Sequence, residues 1–436
     1  MKDFKLKMTL AGAKTVYNLI KLAQAGEGTS FVGSLVLKHN PMFLKSATSF
    51  ISKEKLSVTG TNGKTTTSGI IYHILKENSR GIVANRKGAN MLTGIVNAFA
   101  LTLDGRKKYE HCVLECDEAY LAKIQAQVPC DFLLVTNLFR DQLDRYGEIE
   151  TTKRKIQEGI DTNPNIQLVL NADDPLVSSL KSNKKPIFFG IRQVENRTGR
   201  EDSSAPEENF KCPCDEELEY SKKFYAHQGH YHCKCGYTRP TPDFEADIIL
   251  EKDFSIIKLG EEEFKVPLVG LFNAYNALAA ISILKSIGIT NIAKPLLSFK
   301  TAFGRSEVRD VKGHKTLIQL IKNPAGANEV LKSVDLDSNI LIIINDNYAD
   351  GRDVSWLWDA DFENLANAKN EIIVSGLRAE DMATRLKYAG VPVDKIKVVK
   401  NIEPAIDYVT TIAHNNITIL PSYTALLALN KLWKKL

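Results

Sequence analysis

Short, nearly continuous apolar runs alternate along the chain with longer stretches of helical periodicity. In the first half, the runs that favour strands lie at residues 56–58, 112–115, 132–136 and 168–170. Strands that are covered on both faces read as continuous hydrophobic runs, and strands separated by helices pair in parallel. The pattern therefore predicts an α/β domain over residues 51–303, with a parallel sheet flanked by helices.

A second alternation follows residue 304. Its apolar runs lie at residues 316–321, 340–345, 371–375, 395–399 and 418–420. These runs predict a separate Rossmann-like, doubly wound α/β domain over residues 304–436. Residues 1–50 show helical spacing of apolar positions with lysines around them. We interpret them as a helical segment packed on the next domain, and we prefer this to contact with an anionic membrane surface.

Composition indicates an ordinary globular enzyme. Hydrophobic residues make up 44% of the 436 residues and charged residues 25%, and the formal net charge is +5. This charge is too modest to indicate nucleic-acid binding, so we expect no nucleic-acid partner. The chain has no apolar run long enough to span a bilayer and no signal-peptide pattern. It contains an odd number of cysteines, seven. We therefore expect reduced thiols and a cytoplasmic protein.

The sequence S-V-T-G-T-N-G-K-T-T-T at residues 57–67 has the layout of a phosphate-binding loop. Glycines allow backbone N–H groups to close on phosphate oxygens, the lysine reaches the outer phosphates, and a threonine hydroxyl holds Mg²⁺. The alternative is a plain strand-to-helix turn. The loop predicts phosphate binding by Gly60, Thr61, Asn62, Gly63, Lys64, Thr65 and Thr66.

Two close cysteine pairs form the second strong pattern, at Cys212, Cys214, Cys233 and Cys235. Four thiolates at this spacing suit a closed, tetrahedral and therefore structural Zn²⁺ site. They predict a zinc-ribbon insertion at about residues 205–240. His230 and His232 are near enough to replace one ligand, but we interpret them as surface residues of a hairpin. The other three cysteines lie among apolar residues and are expected to be buried packing groups.

The shortened loop T-G-T-N-G-K-T resembles the ATP loop of the Mur ligase family, which includes the folylpolyglutamate synthetases. The strand-end carboxylate of Glu115 matches the Mg²⁺-binding glutamate of that family, although such a carboxylate is often a solvated strand end. The resemblance implies that Thr65 and Glu115 hold Mg²⁺. The segment at residues 136–147 is also similar and implies nucleotide binding by Asn137. Gln142 stands where the family carries a histidine, which puts the second Mg²⁺ site in doubt.

Residues 270–280, G-L-F-N-A-Y-N-A-L-A-A, are similar to the family's nucleotide-contacting helix start. The resemblance gives Asn273 and Asn276 a role in ATP binding. Without it, both asparagines would be read as cap and early-turn residues. Arg305 lies at the junction to the last domain, where the family places an arginine close to phosphate.

Three further features narrow the resemblance to the MurT family, the ligase-like subunits of lipid II isoglutaminyl synthase. The segment before the loop is only about 50 residues long, the cysteine ribbon is present, and residues 345–356 read N-D-N-Y-A-D-G-R-D-V-S-W. The resemblance implies ATP-dependent amidation of the D-glutamate α-carboxylate of lipid II to D-isoglutamine, through an acyl phosphate. Lys64 and Glu115 would act in this chemistry.

The same resemblance implies a heterodimer with a GatD-type glutamine amidotransferase that supplies ammonia, and a place at the inner face of the membrane. Asp353 is the residue we choose to complete the partner's Cys–His pair, with a plain turn aspartate as the alternative. Two other functions remain open. One is a self-sufficient amino-acid ligase of the folylpolyglutamate type, and the other is a non-catalytic nucleotide switch acting on nucleic acid.

Overall fold

The computed structural model describes residues 2–22, 29–86, 89–139, 149–198, 210–300, 305–414 and 416–433. The chain forms two compact units. The first comprises most of the chain up to Phe299, and the second comprises Lys300–Leu436 with two short earlier segments. The domain boundary near residue 303 stays a prediction.

A nine-stranded sheet forms the centre of the first unit, in the order β11-β10-β9-β6-β5-β4-β1-β3-β2. The strands from β2 to β9 in this order pair in parallel, whereas β10 and β11 are antiparallel. The strands are β1 (Lys55–Thr59), β2 (Ile82–Ala84), β3 (His111–Glu115), β4 (Phe132–Val135), β5 (Gln167–Asn171), β6 (Ile187–Asn196), β9 (Phe244–Leu250), β10 (Ser255–Leu259) and β11 (Glu262–Val266). The four strands predicted here correspond to β1, β3, β4 and β5, which confirms the α/β class.

Helices of the first unit follow the parallel strands and precede β1. They are α1 (Lys2–Leu22), α2 (Thr29–His39), α3 (Phe43–Ala47), α4 (Lys64–Asn78), α5 (Leu92–Thr102), α6 (Leu121–Gln127), α7 (Ile149–Thr162), α8 (Pro175–Ser178), α9 (Leu271–Ser286) and α10 (Ala293–Leu297). Helix α9 is buried on nearly all sides, as expected of a helix that is apolar around its whole circumference. This burial holds the asparagines of its first turns in place.

A small antiparallel hairpin, β7 (Glu219–Tyr225) and β8 (Gln228–His232), is inserted between β6 and β9. Its own core contains the buried residues Leu218 and Tyr231 together with two of the cysteines. Part of the predicted insertion, residues 205–209, lies outside the described residues.

The second unit contains a six-stranded sheet in the order β12-β13-β17-β14-β15-β16, in which only β12 pairs antiparallel. Its strands are β12 (Arg305–Val311), β13 (His314–Gln319), β14 (Asn339–Ile343), β15 (Ile372–Ser375), β16 (Ile396–Val398) and β17 (Ile417–Pro421). Its helices are α11 (Pro324–Ser333), α12 (Trp356–Asp359), α13 (Ala379–Tyr388), α14 (Ile402–Ile412) and α15 (Tyr423–Trp433). Alternate residues of β14 belong to two different apolar clusters, one on each face of the sheet, as a sheet covered on both faces requires.

Within the described ranges, no helix is both long enough and apolar enough to span a membrane.

Candidate functional site

The loop between β1 and α4 has the backbone of a phosphate-binding turn. Gly60 has φ 121° and Gly63 has φ 83°, a region that residues with a Cβ adopt only with strain. A Cβ on Gly63 would lie 1.9 Å from Asn276 Oδ1, and one on Gly60 would lie 2.3 Å from Thr136 Oγ1. Helix α4 begins at Lys64 without a side-chain cap, and the N–H groups of a helix's first turn are donors suited to an anion.

Lys64 lies folded across this loop. Its Nζ is 2.5 Å from Gly60 O, 3.3 Å from Thr61 O and 2.7 Å from Glu118 Oε1. The Lys64 side chain is 12% exposed and that of Glu118 is 5% exposed, so this ion pair is largely desolvated. Burial raises the pKa of Glu118, and the neighbouring Lys64 charge opposes that rise. In the sequence Glu118 lies three residues after the candidate metal ligand Glu115, and nothing there identified it as the partner of Lys64.

Thr65 and Glu115 meet because β1 and β3 are adjacent and parallel. Thr65 Oγ1 donates a hydrogen bond of 3.0 Å to Glu115 Oε1, and Asn90 Nδ2 lies 3.5 Å from the same oxygen. Asn85 bonds both the N–H and the carbonyl of Glu115, at 2.9 and 2.7 Å, and so fixes its backbone. The hydroxyl and carboxylate oxygens are ligands that Mg²⁺ prefers, so the residues present fit the predicted ion.

Asn137 supports the loop from β4. Its Oδ1 accepts from Asn62 N at 2.9 Å, and its Nδ2 donates to Asn62 O at 3.2 Å. The hydroxyl of Thr136 donates to the same carbonyl at 2.7 Å. Asn137 therefore holds the shape of the loop. Nearby, Thr61 is 3% and Thr66 is 5% exposed.

The two asparagines of α9 have different surroundings. Asn276 is 4% exposed, its Oδ1 faces Gly63, and Thr67 Oγ1 lies 3.4 Å from that oxygen. Asn273 lies one turn earlier and donates to Val269 O at 2.8 Å. The structure thus brings Asn276 directly to the loop. The side chains of Arg305 and Gln142 lie outside the described residues.

Asp173 organises a buried network that the sequence did not predict as part of the site. Its carboxylate accepts from Arg239 Nε at 2.6 Å, Ile191 N at 2.7 Å and Tyr275 OH at 2.9 Å. Burial raises the pKa of Asp173, and the Arg239 charge opposes the rise. The network joins the end of β5 to the residue beside Asn276 on α9. In the sequence, Asp173 could have been found from the segment N-A-D-D-P at residues 171–175, which follows an apolar strand.

The four cysteine sulfurs converge at the base of the hairpin. Cys212 and Cys235 Sγ are 3.3 Å apart, Cys214 and Cys233 Sγ are 3.6 Å apart, and all four lie within 4.8 Å of one another. Zn–S bonds of about 2.3 Å in a tetrahedron require sulfurs about 3.8 Å apart, so the residues present fit Zn²⁺. A hydrogen bond from the Tyr237 backbone is the main reason that the pKa of the Cys235 thiol falls to about 7, whereas desolvation raises the pKa of the Cys212 thiol to about 12.

Residues near these sulfurs agree with a closed site. Each pair is followed by a residue in the left-handed region, Asp215 with φ 66° and Gly236 with φ 93°. His230 contacts Ile191 O at 2.7 Å and His232 pairs with Glu219 at 3.3 Å, so neither belongs to the sulfur cluster. The three remaining cysteines, Cys112, Cys116 and Cys130, are buried, and burial raises the pKa of each thiol, as expected of packing groups.

Three aspartates follow β14 in the second unit and have different environments. Asp346 accepts two bonds from Arg378, at 2.9 and 2.6 Å. Asp350 is 6% exposed and accepts from Thr424 N at 2.7 Å. Asp353 is partly exposed and accepts from the N–H of the residue two positions on at 2.8 Å through Oδ1. Within the described part of the chain, its Oδ2 has no hydrogen-bond partner, so Asp353 retains an oxygen for another molecule.

Two known domain families together match most of the chain. Residues 58–284 match the Mur ligase middle domain and residues 320–426 match the MurT ligase C-terminal domain. The lipid II isoglutaminyl synthase (glutamine-hydrolyzing) subunit MurT of Staphylococcus aureus strain COL is 36% identical over 94% of this chain and 95% of its own. The subunit of the same name from Streptococcus pneumoniae strain R6 is 33% identical over 97% of this chain and 95% of its own.

Solved structures show the same fold at lower identity. A pseudomurein peptide ligase type C from Methanothermus fervidus superposes with a TM-score of 0.68 at 22% identity, covering 88% of this chain and 79% of that chain. MurF ligase from Thermotoga maritima, solved in complex with ADP, has a TM-score of 0.58 at 18% identity, covering 90% of this chain and 81% of that chain.

Proposed function

The chain belongs to the MurT family of Mur ligases, and from this premise we propose that it is the ATP-dependent ligase subunit of a lipid II isoglutaminyl synthase. The observation that carries the proposal is the identity of 36% over 94% of the chain with a subunit of that name. The arrangement of Lys64, Thr65 and Glu115 around the loop supports it, because these residues provide the cation and oxygen ligands for phosphoryl transfer.

The proposed reaction amidates the α-carboxylate of D-glutamate in the lipid II stem peptide. A carboxylate oxygen attacks the γ-phosphorus of ATP, ADP leaves, and an acyl phosphate forms. Ammonia then attacks the acyl carbon, inorganic phosphate leaves with the former carboxylate oxygen, and D-isoglutamine results. Mg²⁺, held by Thr65 and Glu115, would supply neutralisation of the phosphate charge.

The loop residues stabilise the transferred phosphoryl group. Lys64 donates to the outer phosphates, and the uncapped N–H groups at the start of α4 bind the phosphate oxygens. Glu118 holds the lysine beside the loop. Asn137 holds the shape of the loop, and Asn276 lies against Gly63, where it would contact the nucleotide. Asn273 and Arg305 are assigned to nucleotide binding by the family resemblance alone.

Ammonia comes, in this proposal, from glutamine hydrolysed on a separate GatD-type subunit that forms a heterodimer with this chain. Asp353 would orient the histidine of the partner's Cys–His pair and stabilise its charged form. The support is its location and its available Oδ2 oxygen. Asp346 is unsuited because Arg378 engages it, and Asp350 is buried.

A structural Zn²⁺ bound by Cys212, Cys214, Cys233 and Cys235 completes the proposal. The metal would fix the hairpin and the segment after it, in which Arg239 bonds Asp173. This makes residues 205–240 a zinc-ribbon insertion in an ATPase domain of residues 51–303. We also place the protein in the cytoplasm, peripheral to the inner face of the membrane that carries its lipid substrate.

The test measures amide formation on lipid II with purified chain, ATP and Mg²⁺, using either ammonia or glutamine plus the glutaminase subunit. We expect product from both nitrogen sources, and none with Lys64→Ala. If no amide forms from either source while an added amino acid stimulates ATP turnover, the self-sufficient amino-acid ligase is the correct function.

Asp353→Asn separates the two half-reactions. We expect it to reduce the glutamine-driven rate and leave the ammonia-driven rate unchanged. Asp346→Asn is the matched control, because it makes the same change on the same loop at a carboxylate that Arg378 already occupies. Equal effects of both substitutions on the glutamine-driven rate would contradict the role given to Asp353.

A further inference from the structure

The first 50 residues carry the whole net charge of the protein. They contain seven lysines and two acidic residues, a net +5, which equals the formal net charge of the full chain. The remaining 386 residues therefore contain fifty basic and fifty acidic residues. Charge asymmetry of this kind indicates a partner of opposite charge for the N-terminal helices.

The helices that carry this charge are held firmly on the first unit by one face. Leu6, Leu10 and Ala13 of α1 are at most 4% exposed, and Lys14 Nζ donates to Leu103 O at 2.7 Å beyond the end of α5. Helix α2 approaches α5 so closely that a Cβ on Gly33 would lie 1.8 Å from a backbone oxygen of α5. The inner face of this helical pair is thus fully used.

The opposite side, which we call the outer face, combines exposed apolar and basic side chains. On α1, positions 8, 11, 15, 19 and 22 are all exposed and follow one another at helical spacing. Asn40 beyond α2 donates to Thr9 of α1 at 3.4 Å, which is consistent with an antiparallel pairing of the two helices. The exposed apolar residues of the α1 row are Met8 (61%), Leu19 (59%) and Leu22 (81%), and Phe31 (62%) of α2 and Met42 (53%) are exposed nearby in the chain. Exposed lysines flank this row: Lys7 and Lys21 at the sides of α1, Lys38 at the end of α2 and Lys45 in α3.

We propose that the outer face binds the surface of an anionic phospholipid bilayer. Apolar side chains of this size enter the boundary between headgroups and acyl chains, and the lysines around them pair with anionic headgroups. A second copy of the chain is disfavoured by the like charge of the two faces. The inference deepens the proposed function and rests on it for the substrate, because lipid II lies in that bilayer.

The test uses the full chain in complex with its glutaminase subunit and vesicles of phosphatidylglycerol and phosphatidylcholine. We expect sedimentation with these vesicles, weaker binding at high salt, and little binding to vesicles of phosphatidylcholine alone. The variant Leu19→Glu/Leu22→Glu should reduce the partition coefficient at least about tenfold, because it places two charges where apolar groups insert. The matched control is Leu297→Glu/Leu427→Glu, two exposed helical leucines elsewhere in the chain, and it should bind as the unmodified protein does.

Activity in two substrate formats adds a second readout. The Leu19→Glu/Leu22→Glu variant should amidate lipid II in detergent micelles at the unmodified rate and vesicle-embedded lipid II far more slowly. The surface assignment is overturned if this variant binds vesicles like its control, or if it keeps vesicle binding but loses the glutaminase subunit. Failure of the proposed function looks different, because the unmodified complex would then make no amide in either format while still binding vesicles.

Discussion

Gly63→Ala perturbs the phosphate-binding loop at a single atom. Gly63 has φ 83°, a conformation that costs an L-residue about 1–2 kcal/mol. The new Cβ would also lie 1.9 Å from Asn276 Oδ1, so the buried carboxamide must move. Loss of the hydrogen bond between Thr67 and Asn276 would cost a further 0.5–1.5 kcal/mol, roughly, of folding free energy. We therefore expect the free energy of unfolding to fall by about 1.5–3.5 kcal/mol from these two effects.

ATP binding should suffer as well, because the same N–H groups that form the turn bind phosphate. We expect the dissociation constant for Mg-ATP to rise at least about tenfold, which corresponds to about 1.4 kcal/mol. Isothermal titration calorimetry with ATP and urea unfolding of the unliganded protein measure the two effects separately.

Gly69→Ala is the matched control on the same helix. Its backbone lies outside the left-handed region, and its new Cβ would meet the Phe299 ring at 3.5 Å (Cζ) and 3.6 Å (Cε2), both ordinary contacts. Alanine within a helix is more favourable than glycine by about 0.5–1 kcal/mol, so this variant should be slightly stabilised. The reasoning is refuted if Gly63→Ala matches Gly69→Ala in both unfolding free energy and ATP affinity.

Three further outcomes test other parts of the molecule. Cys214→Ser should lower the zinc content measured by atomic absorption and the thermal midpoint, whereas Cys130→Ser at a buried packing thiol should leave the zinc content unchanged. Arg239→Met should cost about 3–5 kcal/mol in urea unfolding, because it leaves the Asp173 carboxylate buried without its cation; a loss below about 1 kcal/mol would contradict the buried pair. Burial raises the pKa of Asp350, so the folded protein binds this proton more tightly than the unfolded chain. The stability that protonated Asp350 contributes is therefore lost as pH rises through its folded pKa. Asp350→Asn should be less destabilising above that pKa than below it, and unfolding free energies measured over a pH series test this.

The sequence alone determined the features whose signal is local. Alternating apolar runs predicted the parallel strands, because strands that are covered on both faces are largely apolar. The phosphate-binding loop was recognisable because its function needs glycines and a lysine within a few adjacent positions. The four cysteines were recognisable for a similar reason, since two turns must each present two sulfurs to one metal. The antiparallel strands β10 and β11, at one end of the sheet, were not predicted, because their half-exposed pattern is weaker.

Only the tertiary structure decided which side chains meet across long separations. Lys64 and Glu118 lie 54 positions apart, and Asp173 and Tyr275 lie 102 apart, so no spacing rule connects them. The same holds for Gly63 and Asn276, whose proximity requires α9 to pack against the loop. Among the three aspartates after β14, burial and ion pairing left an oxygen available on Asp353. These outcomes depend on how strands order themselves in a sheet, and that order is a property of the whole packed core rather than of any local segment.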